Sequence, residues 1–306
     1  MSGTPVANRV LVTGAAGMVG TALMDTMLAR GYDALGTDID TDGFDLSVYH
    51  DAQQIVKFVR PNFIIDCACR TTGIKYSQEH HGDMFYNAAI VPMNIMRAAV
   101  EFGVKRVLLV SSSCVYNDFV EKSEEFGDYS FPESANEGYG WGKRVAEYAG
   151  LMYAKQYGIE VIRVRPGNIY GPSYKFQGDQ DKHVIPALID KFLSGNIVNV
   201  WGSGRQSRCF LYETDCAEML IQLLEKGTPG EVYNLDGEEV TIKALAEMIA
   251  DLTGYTRTIV FDASGPEGPA RKVQPTSKLY EVVDLTLMPF KDGLRRTVAA
   301  AKEKKQ

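Results

Sequence analysis

The stretch RVLVTGAAGMVGTALMDTMLARG, residues 9–31, decides the fold. Arg9 to Thr13 is a short β-branched run that reads as a strand, and Met18 opens an apolar-periodic segment that Gly31 closes as a helix C-cap. Between them Gly14, Gly17 and Gly20 stand at GxxGxxG spacing. An ordinary strand-to-helix turn also uses glycine, but here a strand precedes and a helix follows, the context in which such a turn binds a dinucleotide pyrophosphate. The first glycine lets the chain turn, the second lets the backbone approach the phosphates, and the third lets helix and strand pack. The helix N-terminus at Met18 then faces the anion.

Outward from this unit the alternation continues. YDALGTD reads as a strand, DAQQIVKFV as a helix, NFIIDCA as a buried strand, MFYNAAIVPMNIMRAAVEFG as a long helix and KRVLLVSSS as a further strand. A polar loop from Asn117 to Asn136 leads to a helix over Tyr139–Tyr157 and the strand EVIRVRP. Strands and helices in this rhythm predict an α/β fold, a doubly wound parallel sheet of Rossmann type with right-handed crossovers. After Pro166 the rhythm changes to turn-rich NIYGPSYKFQGDQDK, a helix HVIPALIDKFLSG, a strand NIVNVWG and a Gly/Pro loop, ASGPEGPARK. We therefore expect residues 1–166 to form the dinucleotide-binding domain and 167–306 mainly a smaller substrate-binding α/β lobe. VYNL, near 231–235, is expected to return to the first sheet.

Composition narrows the classes. The 306 residues are 45% hydrophobic and 23% charged, as in soluble globular proteins, and the formal net charge is −7. Such a surface repels the nucleic-acid backbone, and the lysine-rich tail near Lys302–Lys305 is the one basic run. No stretch reaches the roughly 18 apolar residues of a membrane span and no signal-peptide core opens the chain, so a cytoplasmic location is expected. Five scattered cysteines without CxxC spacing suggest neither a disulfide framework nor a zinc site, and adjacent His80 and His81 read as a solvated helix start.

Several residues have the types and spacings of a redox site. Asp38 ends the second strand, where a carboxylate accepts hydrogen bonds from adenosine ribose hydroxyls and repels a 2′-phosphate, which favours NAD(H) over NADP(H). Asp40 can do the same, and either Asp38 or Asp40 can be a plain turn residue; Asp45 can pair with the adenine amino group or lie in a surface loop. Tyr139 and Lys143 in YGWGK stand one helical turn apart, so the cation can acidify a phenol that exchanges a proton with a carbonyl while hydride moves. Ser111, Ser112 and Ser113 end the preceding strand and offer hydroxyls to the same substrate oxygen.

Together TGAAGMVG, Asp38, the serine-ended strand and YGWGK resemble the extended short-chain dehydrogenase/reductase family of sugar-nucleotide epimerases and dehydratases, over essentially the whole chain. TTGI, SSSCVY, NEGYGWGK, NIYGP, HVIPALIDKF, WGSGRQSRCF and VFDASGPEGPARK look specifically like its GDP-L-fucose synthase branch. The resemblance implies Ser112, Tyr139 and Lys143 as the hydride-transfer set, with Cys114 as base and His183 as acid for epimerisation; Lys182 competes with His183 for that role. It also implies Trp201, Arg208 and Asn168 as nucleotide-sugar contacts, Arg271 or Lys272 at the diphosphate, and a homodimer through the helices near 85–102 and 139–157. Epimerisation beside a C4 ketone needs a base on one face and an acid on the other, because the carbanion delocalises as an enolate. A thiolate with its pKa lowered by its site would serve at neutral pH.

The expected activity is 3,5-epimerisation and 4-reduction of a GDP-linked 4-keto-hexose with NAD(P)H. Three features depart from that branch, which prefers NADPH: the acidic Asp38, a third strand ending DCAC in place of an HLAA-like run, and a loop after SSSCVY that reads NDFVEKSEEF without the usual proline. They leave open a redox-neutral epimerase with tightly held NAD. A non-catalytic nucleotide sensor on the same fold would typically have lost Tyr or Lys from YxxxK, and both are present.

Overall fold

The computed structural model describes residues 8–117, 131–175, 183–262 and 270–305. Six parallel strands form the main sheet: β1 (Val10–Thr13), β2 (Ala34–Thr37), β3 (Phe63–Asp66), β4 (Arg106–Val110), β5 (Glu160–Pro166) and β9 (Val232–Leu235), in the order β2-β1-β3-β4-β5-β9. The strand over 232–235 pairs in parallel with β5, so the second half of the chain supplies the last strand of the first sheet. The order reverses between β1 and β3, and in open α/β sheets ligands bind at such a switch point, beyond the carboxyl ends of the strands.

Each face of this sheet is covered by helices whose apolar side chains follow the 3.6-residue period. On one face α1 (Met18–Ala29) and α7 (Glu213–Lys226) bury Leu23, Met27, Cys216, Leu220 and Leu224 against Val10, Val12 and Val164. On the other α2 (Tyr49–Val59) and α4 (His81–Glu101) bury Ile55, Val56, Ile95 and Met96 against Leu11, Ile64, Val107 and Val161. Helix α5 (Glu137–Tyr157) packs along α4 and starts two residues earlier than its periodicity predicts, because Gly138 has no apolar side chain to register although its backbone lies tight against His81.

A second core lies in the C-terminal lobe. Helix α6 (Val184–Leu193) and α8 (Ile242–Thr253) pack with α10 (Phe290–Lys305), burying Ile189, Phe192, Leu245, Ile249 and Leu294. Its strands are β8 (Ser207–Tyr212), paired antiparallel with β10 (Glu238–Thr241) and in parallel with β6 (Asn168–Tyr170) and β12 (Arg271–Lys272). A separate parallel pair joins β7 (Val198–Trp201) to β11 (Ile259–Asp262). Short α3 (Ile74–Glu79) and α9 (Ser277–Tyr280) complete the described elements. No helix among the described residues is long and apolar enough to cross a membrane.

Candidate active site

The glycine turn has three geometries for three glycines. Gly14 has φ +66°, and a Cβ there would lie 2.8 Å from Ala68 Cα, so any other residue is both strained and blocked by the end of β3. A Cβ at Gly20 would fall 2.1 Å from the Gly14 carbonyl oxygen, which fixes helix against turn. Gly17 differs: it is exposed and forms the N-cap of α1 with extended backbone and no side-chain cap. Its bare amide side leaves the first N–H groups of α1 open to an anion, and in this respect the turn fits a dinucleotide pyrophosphate.

Asp38 follows β2 beside this turn, and its carboxylate accepts the Ala16 N–H (3.1 Å) and the Asp40 N–H (3.0 Å). Asp40 itself is exposed and pairs with Lys175 (2.6 Å). Asp45 is further away in role: its Oδ1 accepts both the N–H and hydroxyl of Ser47, a local turn at the approach to α2.

The hydride-transfer candidates meet at the carboxyl end of β4. Ser112 is buried, and its hydroxyl oxygen accepts the Cys114 N–H (3.1 Å), starting a short 3₁₀ turn over Ser113–Val115. Tyr139 projects from the first turn of α5 into this end and shares a hydrogen bond with Ser112. Burial pushes its phenol well above the ordinary value, and the nearby Cys69 and Cys114 sulfurs push the same way, against the Ser112 bond. Lys143 is buried one turn later, with Nζ donating to the Val110 carbonyl (2.8 Å) and lying 5.8 Å from the Tyr139 ring centroid. Helix α5 is anchored by its next turn. Glu147 forms a two-bond ion pair with the fully buried Arg165 (2.9 and 2.5 Å), whose Nη1 also donates to the Tyr116 hydroxyl (3.1 Å).

Beside this corner stands a second cluster, only partly legible in the sequence. Lys272 on β12 points its ammonium at Cys114 Sγ (3.8 Å) and pairs with Glu133, and Glu133 also accepts from the Asn136 amide. Both side chains are almost wholly buried, at 11% and 6% exposure. Burial alone would raise the Glu133 carboxyl, yet the Lys272 ammonium overrides it and holds the acid down at about 2. The thiol behaves oppositely. Burial and the Glu133 carboxylate push Cys114 up to about 12, outweighing Lys272. This corrects the expectation of a site that lowers the thiol pKa: the cation is present, but a carboxylate stands beside it and the thiol is partly buried.

Glu133 falls in the loop read from its polarity alone, and its single sequence signal is an acidic residue upstream of the YxxxK helix. Asp66 and Cys69, the two ends of the DCAC run, carry no site expectation in the sequence. The Cys69 thiol, raised by burial, borders Tyr139 and Lys143, and the buried Asp66 accepts the Thr13 hydroxyl (2.5 Å). Lys272 is thus engaged by Glu133 at the thiol, whereas Arg271, the neighbouring candidate, is exposed and forked onto Glu239 (2.9 and 2.8 Å). Arg208 pairs across from Lys272 in the β8–β12 register and donates to the Ser207 carbonyl. Asn168 donates its amide to the Cys209 carbonyl (2.9 Å). Trp201 ends β7 half exposed, with the Lys191 ammonium 5.5 Å from its ring. His183 is the exposed N-cap of α6 and lines a cleft with Met18, Ile169 and Gly171, next to the glycine turn. Lys182 lies outside the described residues.

Comparison with known proteins supplies the class. Residues 10–236 match the model of the NAD dependent epimerase/dehydratase family. The chain belongs to that family. It is 31% identical to a GDP-L-fucose synthase of Sinorhizobium fredii over 90% of this chain and 89% of that one. It is also 28% identical to a Streptomyces dTDP-4-dehydro-6-deoxy-D-allose reductase, over 94% of each. Among solved structures, a GDP-L-fucose synthetase from Naegleria fowleri bound to NADP superposes with a TM-score of 0.88 at 25% identity, covering 97% of this chain and 95% of that one. The family member described here is accordingly an NAD(P)-dependent sugar-nucleotide epimerase or reductase.

Proposed function

We propose that the enzyme epimerises C3 and C5 of an NDP-linked 4-keto-hexose, with guanine as the base, and then reduces C4 with NAD(P)H. The observation that carries this reading is the convergence of Ser112, Tyr139 and Lys143 with Cys114 at one end of β4. A reductase alone has use for the first three. A thiol beside them, facing the same space, adds a group able to exchange a proton with a carbon next to the ketone.

The residues divide the work by position. Ser112 orients the carbonyl oxygen, Tyr139 delivers a proton to it, and Lys143 stabilises the phenolate left behind, while the reduced nicotinamide supplies hydride when bound. The raised phenol is suited to holding its proton until the alkoxide forms. Cys114 removes the proton from one ring face and His183 returns one from the other, with Lys182 the alternative acid. Asn168, Trp201 and Arg208 bind the nucleotide-sugar. Of the two diphosphate candidates, we take Arg271, exposed at the rim, for the diphosphate and Lys272, paired with Glu133, for Cys114. Phe85, Tyr86, Tyr148 and Met152, exposed on α4 and α5, support a homodimer through those helices.

Asp38 favours a second reading, redox-neutral epimerisation with retained NAD, because its carboxylate would repel a 2′-phosphate beside the Ala16 amide. Incubation with GDP-4-keto-6-deoxymannose in heavy water, with and without NADPH or NADH, tests both. Deuterium at C3 and C5 together with cofactor oxidation supports the first reading. Exchange without net cofactor turnover supports the second, and C4 reduction with no deuterium at either carbon leaves a simple reductase.

A further inference from the structure

The cluster at Cys114 contains two charges that a thiol base does not need merely to be held in place. The sulfur receives the Lys272 ammonium from β12, and the same ammonium is paired with Glu133, whose own N–H donates to the Cys114 carbonyl (3.1 Å). A lone cation there would favour a thiolate; a lone carboxylate would forbid it. Both are buried, so neither is screened by water. We propose that Glu133 and Lys272 are positioning residues that jointly decide whether Cys114 is a thiol or a thiolate, Lys272 by holding a cation at the sulfur and Glu133 by offsetting its charge. The role of Cys114 in proton exchange rests on the reading above, but the charge control does not.

The physical consequence is a thiol held protonated as long as the two charges stay paired. With Glu133 ionised the pair is neutral in sum, and burial keeps the sulfur protonated and unreactive. Any event that draws the Glu133 charge away from the sulfur leaves Lys272 uncompensated and generates the base. The other groups facing this space are Tyr139 from α5, Cys69 beyond it, and Arg208 next to Lys272 on β8. None of them changes in the variants that separate the two charges.

Peptide-resolved iodoacetamide labelling of the whole protein against pH reads this directly. Glu133→Gln keeps the volume and an acceptor for Asn136 while removing the negative charge. It should move the labelling midpoint of Cys114 down by at least one pH unit, about tenfold faster labelling at a fixed pH below it. Lys272→Met should move it the other way and slow labelling. Cys69, which borders Lys143 and Tyr139, serves as the internal control and should be unmoved. Unchanged or slower labelling of Cys114 in Glu133→Gln, faster labelling in Lys272→Met, or equal acceleration at Cys69 and Cys114 would each overturn the proposal. Should wild-type protein take up no deuterium at C3 or C5 while Glu133→Gln still accelerates labelling, the epimerase reading fails and the charge control stands.

Discussion

The corner around Tyr139 and the corner around Cys114 touch through Ser112, yet they are built in opposite ways. Ser112, Tyr139 and Lys143 all come from one strand–loop–helix unit, and the helix that carries two of them is clamped by the buried Glu147–Arg165 pair. Cys114 and Glu133 come from that same unit, but Lys272 is brought to them by a two-residue strand more than a hundred positions downstream. The first corner has a cation, Lys143, spent on a backbone carbonyl; the second has one matched by a carboxylate. A site assembled from one unit is rigid and recognisable by spacing. A site assembled from two can be tuned by either of them.

The sharpest way to separate the two corners is to remove one hydroxyl. Tyr139→Phe should lower C4 reduction by about 10²- to 10⁴-fold with little change in nucleotide-sugar affinity, since the lost proton transfer acts in the transition state. Deuterium entry at C3 and C5 should survive. Loss of both activities would show that the corners work as one. The reciprocal change, Cys114→Ser, should cut deuterium entry by about 100-fold or more, as a hydroxyl is far less acidic than a thiol, while direct reduction of the unepimerised ketone continues. Mass spectrometry and proton NMR of the product distinguish the two.

Anchoring of the first corner is tested by stability. Arg165→Met takes the two-bond partner from the buried Glu147, leaving it only the longer contact with Arg163 (3.7 Å), and should cost about 3 kcal/mol, seen as a clear drop in the urea midpoint. Arg271→Met, which breaks an exposed pair at 66% and 35% side-chain exposure, should cost less than about 1 kcal/mol. Equal losses would mean that the buried pair is not what holds α5. A modest effect is expected at the cofactor. Asp38→Asn keeps an acceptor for the Ala16 amide but removes a charge, and should shift the NADPH-to-NADH preference by about five- to tenfold toward NADPH. Unaltered preference in steady-state kinetics would assign the ribose contact to another residue.

What the sequence determined by itself were the parts whose chemistry is local. The 2- and 3.6-residue periods, the three glycines and the YxxxK spacing each act within a few residues, so residues 9–31 and 106–166 could be read as strands, turns and helices without knowing their neighbours. Gly14 has a positive φ, Gly17 is an exposed N-cap, and a Cβ at Gly20 would be blocked. Tertiary structure alone decided what stands beside what. Nothing in FPES marks Glu133 as the partner of Lys272, and nothing around Cys114 shows that burial and a carboxylate hold its thiol up at about 12. The physical reason is that pKa values and ion pairs depend on distances and excluded water, which spacing along the chain does not encode once the groups come from different segments.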